Sequence, residues 1–197
     1  MATAFCIDLD GTLVSTPLLP LVASASDIAE EIEVLTAATQ QGVIPFARSL
    51  RLRCRLLRDV PLSEARRRVA FAAVNEDVLE FVRERRDRCF VMTGVPDCWV
   101  SPLAERFGCQ IASSQARTEG DAFVDLVETL DKGDAVRALR DRFDTIVAVG
   151  SSVNDLSMFE AADIRVAYGT DLAPGIRETA DYWTTSGRAL CRLLRPL

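Results

Sequence analysis

Ala4-Phe5-Cys6-Ile7-Asp8-Leu9-Asp10-Gly11-Thr12-Leu13 decides how this chain is read. Four apolar residues run straight into two carboxylates separated by one leucine. A short apolar run bounded by Asp and Gly reads as a strand buried on both faces, with a turn at its carboxyl end. Setting Asp8 and Asp10 side by side at the edge of a core costs desolvation and like-charge repulsion. A cation between them, with one carboxylate used as a nucleophile, gives the arrangement a purpose. A turn chosen only for its Asp and Gly conformations has the same composition, so this stretch does not fix the function by itself.

Two further apolar runs stop in the same way. Cys89-Phe90-Val91-Met92 ends at Thr93-Gly94, and Ile146-Val147-Ala148-Val149 ends at Gly150-Ser151-Ser152-Val153-Asn154-Asp155. Amphipathic stretches over 77–88, 132–143 and 153–162 read as helices beside them. Residues 164–167 read as a further short strand, with 110–113 and 122–127 as a strand and part of a hairpin. Strands alternating with helices predict an α/β fold with a parallel sheet, a Rossmann-like three-layer core. In such sheets ligands bind beyond the carboxyl ends of the strands, where all three polar clusters lie.

Residues 15–74 differ. They show helical periodicity and no convincing strand, with candidate helices over 25–40, 46–58 and 63–73 punctuated by Gly42, Pro45 and Pro61. This predicts a helical unit, 15–74, inserted after the first strand into a core of 1–14 and 75–197. At about 100° per residue, Arg48, Arg51, Arg55 and Arg58 share one helix face, most simply a solvated stripe. Arg53 falls on the opposite side, with Phe46, Leu50 and Leu57. An arginine on an apolar face needs a partner, either a buried carboxylate or an anionic ligand held against the core.

Composition narrows the function classes. The chain has 197 residues, 49% of them hydrophobic, and a formal net charge of −6; its mean hydropathy is +0.13. Such a chain buries a full core, and its acidic balance argues against nucleic-acid binding. No apolar run reaches the ~18 residues of a membrane span; Pro17 and Pro20 interrupt the nearest candidate, 13–25. No basic leader opens the sequence, and the six cysteines are scattered without a C-x-x-C pair, so the expectation is a reduced, cytoplasmic protein. There is no histidine, which removes Ser-His-Asp and Cys-His catalysis and makes zinc an unlikely fit. Of the 23 Lys and Arg residues, only Lys132 is lysine. Codon usage explains such a bias, and so does a need for a compact, strongly hydrated charge at that position.

In this order, D-x-D-G-T at Asp8–Thr12, Thr93-Gly94, Lys132 opening a helix, and G-x-S-x-N-D at Gly150–Asp155 resemble the haloacid dehalogenase superfamily of phosphatases. The resemblance spans essentially the whole chain. The inserted helices look like that superfamily's small helical cap. Within them, 41–46 and 49–53 are similar to the cap of phosphoserine phosphatases, in which a Phe and an Arg face the substrate; here these are Phe46 and Arg53.

The resemblance implies that Asp8 forms an aspartyl-phosphate and Asp10 acts as acid and then base. It implies that Thr93 and Gly94 hold phosphoryl oxygens, that Lys132 neutralises charge, and that Asn154 lies by the substrate. Mg²⁺ would sit among Asp8, the Asp10 carbonyl and the Ser151–Asp155 motif. Two departures stand out. Ser151 occupies a position where these phosphatases usually place a metal-ligating Asp, so Asp155 or a water is expected to compensate. Pro17 falls where phosphoserine phosphatases carry a Glu that reads the substrate's amino group, so an anionic phosphoester lacking an amine is expected to be preferred. The leading expectation is thus a Mg²⁺-dependent phosphomonoesterase acting on a small phosphorylated metabolite, with neither nucleic acid nor membrane as partner and nothing that indicates a homo-oligomer. Two alternatives stand beside it: a phosphatase-fold binding or regulatory protein, favoured by Ser151, and a metal-independent haloacid dehalogenase, opposed by Asp10.

Overall fold

The computed structural model describes residues 2–24 and 26–197. β1 (Thr3–Asp8) lies between β2 (Cys89–Pro96) and β5 (Thr145–Gly150), parallel to both. Beyond β2 come β3 (Gln110–Glu119) and β4 (Ala122–Glu128); beyond β5 come β6 (Ile164–Tyr168) and β7 (Tyr182–Thr184). The seven-stranded order is β4-β3-β2-β1-β5-β6-β7. Only the β3–β4 pair is antiparallel, joined through a turn at Gly120, whose φ of +57° suits glycine. The chain leaves β1 toward β2 on one side and returns to β5 on the other, which opens a crevice at the end of β1.

The period-2 alternation of the strands explains the layers. Phe5 and Ile7 of β1 pack into one core with Val91, Val147 and Val149, while Ala4 and Cys6 face the other core with Phe90, Ile146 and Ala148. The first core is covered by α5 (Glu76–Glu84), α6 (Asp97–Phe107) and α10 (Gly187–Leu194). Phe81 of α5 meets Phe5 edge to face at 5.0 Å. The second core is covered by α7 (Lys132–Arg137), α8 (Leu156–Ala161) and α9 (Ile176–Thr179). All but Cys109 of the cysteines are buried and all are free. Burial pushes the thiols of Cys6, Cys54, Cys89 and Cys98 up to about 12, so they act as small hydrophobes. Among the described residues no helix is long and apolar enough to cross a membrane.

Between β1 and α5 lie α1 (Leu18–Ala23), α2 (Ala29–Gln40), α3 (Phe46–Leu56) and α4 (Leu62–Ala70). Ala25, the expected start of a helix, lies outside the described residues; α2 begins at Ala29. Leu50 and Cys54 of α3 and Leu62, Ala65 and Val69 of α4 join the same buried cluster as Phe5 and Ile7. α4 is also tied to the β3–β4 tip, where Asp121 accepts from Ser63 N at 2.7 Å and Ser63 Oγ at 2.6 Å.

Several elements differ from the sequence reading. α1 forms within the stretch that two prolines seemed to interrupt, because Pro17 is its N-cap and Pro20 falls in the first turn, where no helical N–H is lost. α6 lies where the sequence reading placed no element, and it accommodates Pro102 in its interior. The helix expected over 132–143 ends at Arg137 and continues as tight turns, with Leu139 N donating to the Val136 carbonyl and Arg140 N to that of Arg137. The one expected over 153–162 opens as a 3₁₀ turn, Val153–Asp155, before α8. β2 runs on to Pro96, with an irregular register between Thr93 and Pro96.

Candidate active site

Asp8 closes β1 and is buried. Its Oδ1 accepts from Lys132 Nζ at 2.5 Å, and its Oδ2 meets only the Thr12 hydroxyl, at 3.4 Å. Gly11, at φ +82°, turns the chain so that Asp10 points back over the end of the strand. Asp10 Oδ1 accepts from Leu18 N at 3.0 Å. That N–H is an orphan donor in the first turn of α1, so the carboxylate doubles as its cap. Burial pushes the Asp10 carboxyl up to about 6, the range of a general acid–base group near neutrality.

Lys132 opens α7 behind an Asp131 N-cap and is fully buried. Its ammonium lies between two carboxylates, Asp8 Oδ1 and Asp155 Oδ1, the latter also at 2.5 Å. Both raise its pKa against the effect of burial. Asp155 is placed otherwise than the sequence reading expected. Its Oδ2 accepts from Ser151 N at 2.9 Å, Ser152 N at 2.8 Å and Ser152 Oγ at 2.9 Å. Four donors engage this carboxylate, which fixes Lys132 and folds the loop after β5 rather than facing an open metal position. Gly150 makes room for it: a Cβ there would stand 2.5 Å from Asp155 Cγ.

Asp8 and Asp10 form the floor of a cavity whose wall includes Thr93, Gly94 and Asn154. The Thr93 hydroxyl accepts from Val95 N at 3.1 Å and keeps its own proton to donate. Asn154 Oδ1 lies 2.7 Å from Ser152 Oγ, which has one proton to share between it and Asp155 Oδ2. The roof is the Phe46–Leu50–Arg53 face of α3. Phe46 lies so close over Gly94 that a Cβ on the glycine would fall 2.2 Å from the ring's Cζ. Arg53 is buried; its Nη1 donates to Thr36 Oγ1 at 3.2 Å and its Nε has no partner. It faces the cavity, where Asp10 on the floor is the carboxylate whose charge acts on it. Arg48, Arg51, Arg55 and Arg58 are all exposed.

Lys132, Ser151 and Asp155 lie outside the cavity wall. The Ser151 hydroxyl stands 3.4 Å from where a Gly11 Cβ would be, against the Asp10–Gly11 turn. Cavity residues that the sequence reading missed include Thr36 and Gln40 of α2, one helical turn apart. Neither belongs to a motif, and only the approach of α2 to the strand ends brings them in.

The oxygens left for a cation are Asp8 Oδ2, the Asp10 carbonyl, which accepts no backbone hydrogen bond, and the Ser151 hydroxyl. Among the described residues no three His, Cys, Asp or Glu side chains form a ligand cluster. Burial and the charges of Asp155 and Asp10 push Asp8 upward despite Lys132. The floor is thus short of positive charge. Hard oxygens, one of them anionic, fit a Mg²⁺ that keeps much of its hydration and is completed by a substrate phosphate.

The chain belongs to the haloacid dehalogenase-like hydrolase family, whose model matches residues 5–160. Phosphoserine phosphatases are among its relatives in both sequence and structure. The phosphoserine phosphatase of Methanocaldococcus jannaschii is 26% identical over 187 residues, covering 88% of each chain. That of Halobacterium salinarum is 27% identical over 212 residues, covering 98% of this chain and 97% of that one. The structure of phosphoserine phosphatase from T. onnurineus in complex with NDSB-201 matches at TM-score 0.81 and 25% identity, over 100% of this chain and 96% of that one. A phospho-aspartyl intermediate analogue of phosphoserine phosphatase shares the fold at TM-score 0.85 and 24% identity over 98% of both chains.

Proposed function

We propose that this chain is a Mg²⁺-dependent phosphomonoesterase for a small phosphorylated metabolite, with residues 15–74 as the cap over a core of 1–14 and 75–197. The observation that carries the reading is the cavity floor: Asp8 held by a buried Lys132, with Asp10 beside it at an acid–base pKa. Asp8 attacks phosphorus as the ester P–O bond breaks, and Asp10 gives its proton to the departing alcohol oxygen. Asp10 then takes a proton from water as that water attacks phosphorus and the bond to Asp8 breaks. Lys132 offsets charge on Asp8, while Thr93 and the Gly94 amide hold phosphoryl oxygens. Asp8, the Asp10 carbonyl and Ser151 would hold Mg²⁺, which when bound supplies charge neutralisation at the phosphoryl group. Phe46 over Gly94 excludes water from the reacting end.

The test is phosphate release from p-nitrophenyl phosphate and a panel of phosphorylated metabolites, with Mg²⁺ and with chelator. Wild type is active only with Mg²⁺, and Asp8→Asn, checked for deamidation and for its circular dichroism spectrum, falls below about a hundredth of that rate. Retention of more than that rate by Asp8→Asn rejects the covalent route. Ser151 favours a second reading, a binding protein that keeps the fold without turnover; inactivity of both wild type and Ser151→Asp on every ester and metal tried would make it the better one. Chloride release from a haloacid would point to a dehalogenase instead.

A further inference from the structure

The side of α2 and α3 away from the cavity carries exposed apolar residues between charges of opposite sign. The two helices meet where Arg53 Nη1 donates to Thr36 Oγ1 at 3.2 Å and where Thr39 Oγ1 lies 2.5 Å from Ser49 Oγ. Residue 36 thus faces 53 and residue 39 faces 49, so the helices run antiparallel. The cavity lies on one side of this seam, against Thr36 and Gln40 of α2 and Phe46 and Leu50 of α3. At about 100° per residue, the opposite side of the seam carries Leu35 and then Glu31 on α2. On α3 it carries Leu52 and Leu56 and then Arg48 and Arg55, by the same spacing.

This surface is open. Leu52 is 40% exposed and Leu56 38%, and Val34, one turn from Glu31, is 61% exposed. Glu31, Arg48 and Arg55 are exposed and make no ion pair among the described residues; Arg58, at the end of the stripe, has Asp59 at 3.6 Å. The surface therefore passes from an acidic edge across an apolar strip to a basic edge. Such a surface is complementary to itself under a two-fold rotation. The register fits as well. Glu31 stands five residues before Thr36, and Arg48 stands five residues before Arg53. In antiparallel helices these charges lie about 7.5 Å to opposite sides of the Thr36–Arg53 contact. A two-fold axis at that level sets Glu31 of each copy against Arg48 of the other and packs the leucine strip on itself. Apolar groups then lose water at the centre while opposite charges meet at the rim. The face measures roughly 17 Å by 20 Å, at the low end for specific interfaces, so the association is weak and reversible.

We infer that this chain pairs with a second copy of itself through the outer faces of α2 and α3, with the Leu52 strip at the two-fold axis and Glu31 on the second copy's Arg48. The inference is independent of the phosphomonoesterase reading, because its test reads mass and not turnover.

The test is sedimentation velocity of the full chain. Between about 5 and 500 µM, wild type shows a reversible monomer–dimer equilibrium whose Kd rises at least about threefold when NaCl is raised from about 50 to about 500 mM. Arg48→Glu and Glu31→Arg each set like charges together at both rims and raise Kd at least about tenfold. Mixing the two variants restores the dimer, because each offers the charge that the other lacks. One chain carrying both changes dimerises as well, which shows that neither change acts by unfolding the protein. Leu52→Gln weakens pairing at both salt concentrations. Every variant is first shown to be folded by circular dichroism. A wild type that stays monomeric throughout, a dimer indifferent to salt, a single reversal or Leu52→Gln that leaves Kd within about twofold, or reversals that neither mixing nor combination restores overturns the inference. Monomeric wild type that binds polyglutamate, with binding lost in Arg48→Glu, overturns it too and assigns the basic edge to an acidic partner.

Discussion

Asp155→Asn separates an anchor from a metal ligand. Asp155 is fully buried and takes Lys132 Nζ on one oxygen and three loop donors on the other. Asparagine is nearly the same size, but one of its two terminal atoms becomes a donor. Turned one way, that NH₂ meets the Lys132 ammonium; turned the other, it meets the Ser151 and Ser152 donors. Removing one partner of a buried ion pair costs about 3–5 kcal/mol. Lys132 keeps Asp8, so the lower end applies, roughly 3 kcal/mol. For a chain of this size that corresponds to a fall in Tm of about 6–12 °C. The assay is thermal unfolding of the metal-free protein by circular dichroism, together with Lys132→Met and the double variant. The double variant should be less destabilised than the two single changes added together, because the loss is shared. If Asp155 were mainly a metal ligand, relief of carboxylate repulsion would leave the metal-free Tm unchanged or raise it. A Tm for Asp155→Asn within about 2 °C of wild type refutes the anchoring role.

Further perturbations probe the roof, the metal and the charge balance. Gly94→Ala drives a methyl group into the Phe46 ring; KM should rise severalfold, and Phe46→Ala in the same protein should relieve the clash without restoring wild-type KM, with unchanged KM for Gly94→Ala as the contrary result. Ser151→Asp adds an anionic oxygen beside the Asp10–Gly11 turn, so a Mg²⁺ titration of hydrolysis should show a lower midpoint; an unchanged midpoint removes residue 151 from the metal. Asp8, pushed up to about 8, and Asp10, pushed up to about 6, both lie above the ordinary carboxylate value of 3.8. Their protonated forms favour folding, so this stability is fully present below about pH 4 and is lost as pH rises toward 8. The metal-free protein should melt at lower temperature at pH 8 than at pH 5, and Mg²⁺ or Asp8→Asn should flatten that slope; a slope unaffected by either contradicts the charge balance described.

Much of the site is legible before any coordinates because strand ends in a parallel sheet must converge. Asp8, Thr93 and Gly150 each follow an apolar run, and β1, β2 and β5 prove to be adjacent. The helical wheel alone put Arg53 with Phe46 and Leu50, and these three face the cavity. What the sequence concealed depends on through-space fit. Asp155 sits in a G-x-S-x-N-D motif whether it binds a metal or a lysine. Its allegiance appears only when Gly150, lacking a Cβ, lets the carboxylate fold back onto its own loop. Thr36 and Gln40 carry no motif and reach the cavity through the packing of α2. Pro17 and Pro20, which break the apolar run as a membrane span, fall at the cap and in the first turn of α1, where they cost no helical hydrogen bond.

In the proposed mechanism Asp8 carries the phosphoryl group between two half-reactions. Enzyme quenched in acid during turnover and reduced with tritiated borohydride should carry label at residue 8, as homoserine, only when phosphoester and Mg²⁺ are both present. Label at Asp10 or elsewhere, or steady phosphate release with no label on the chain, would contradict it.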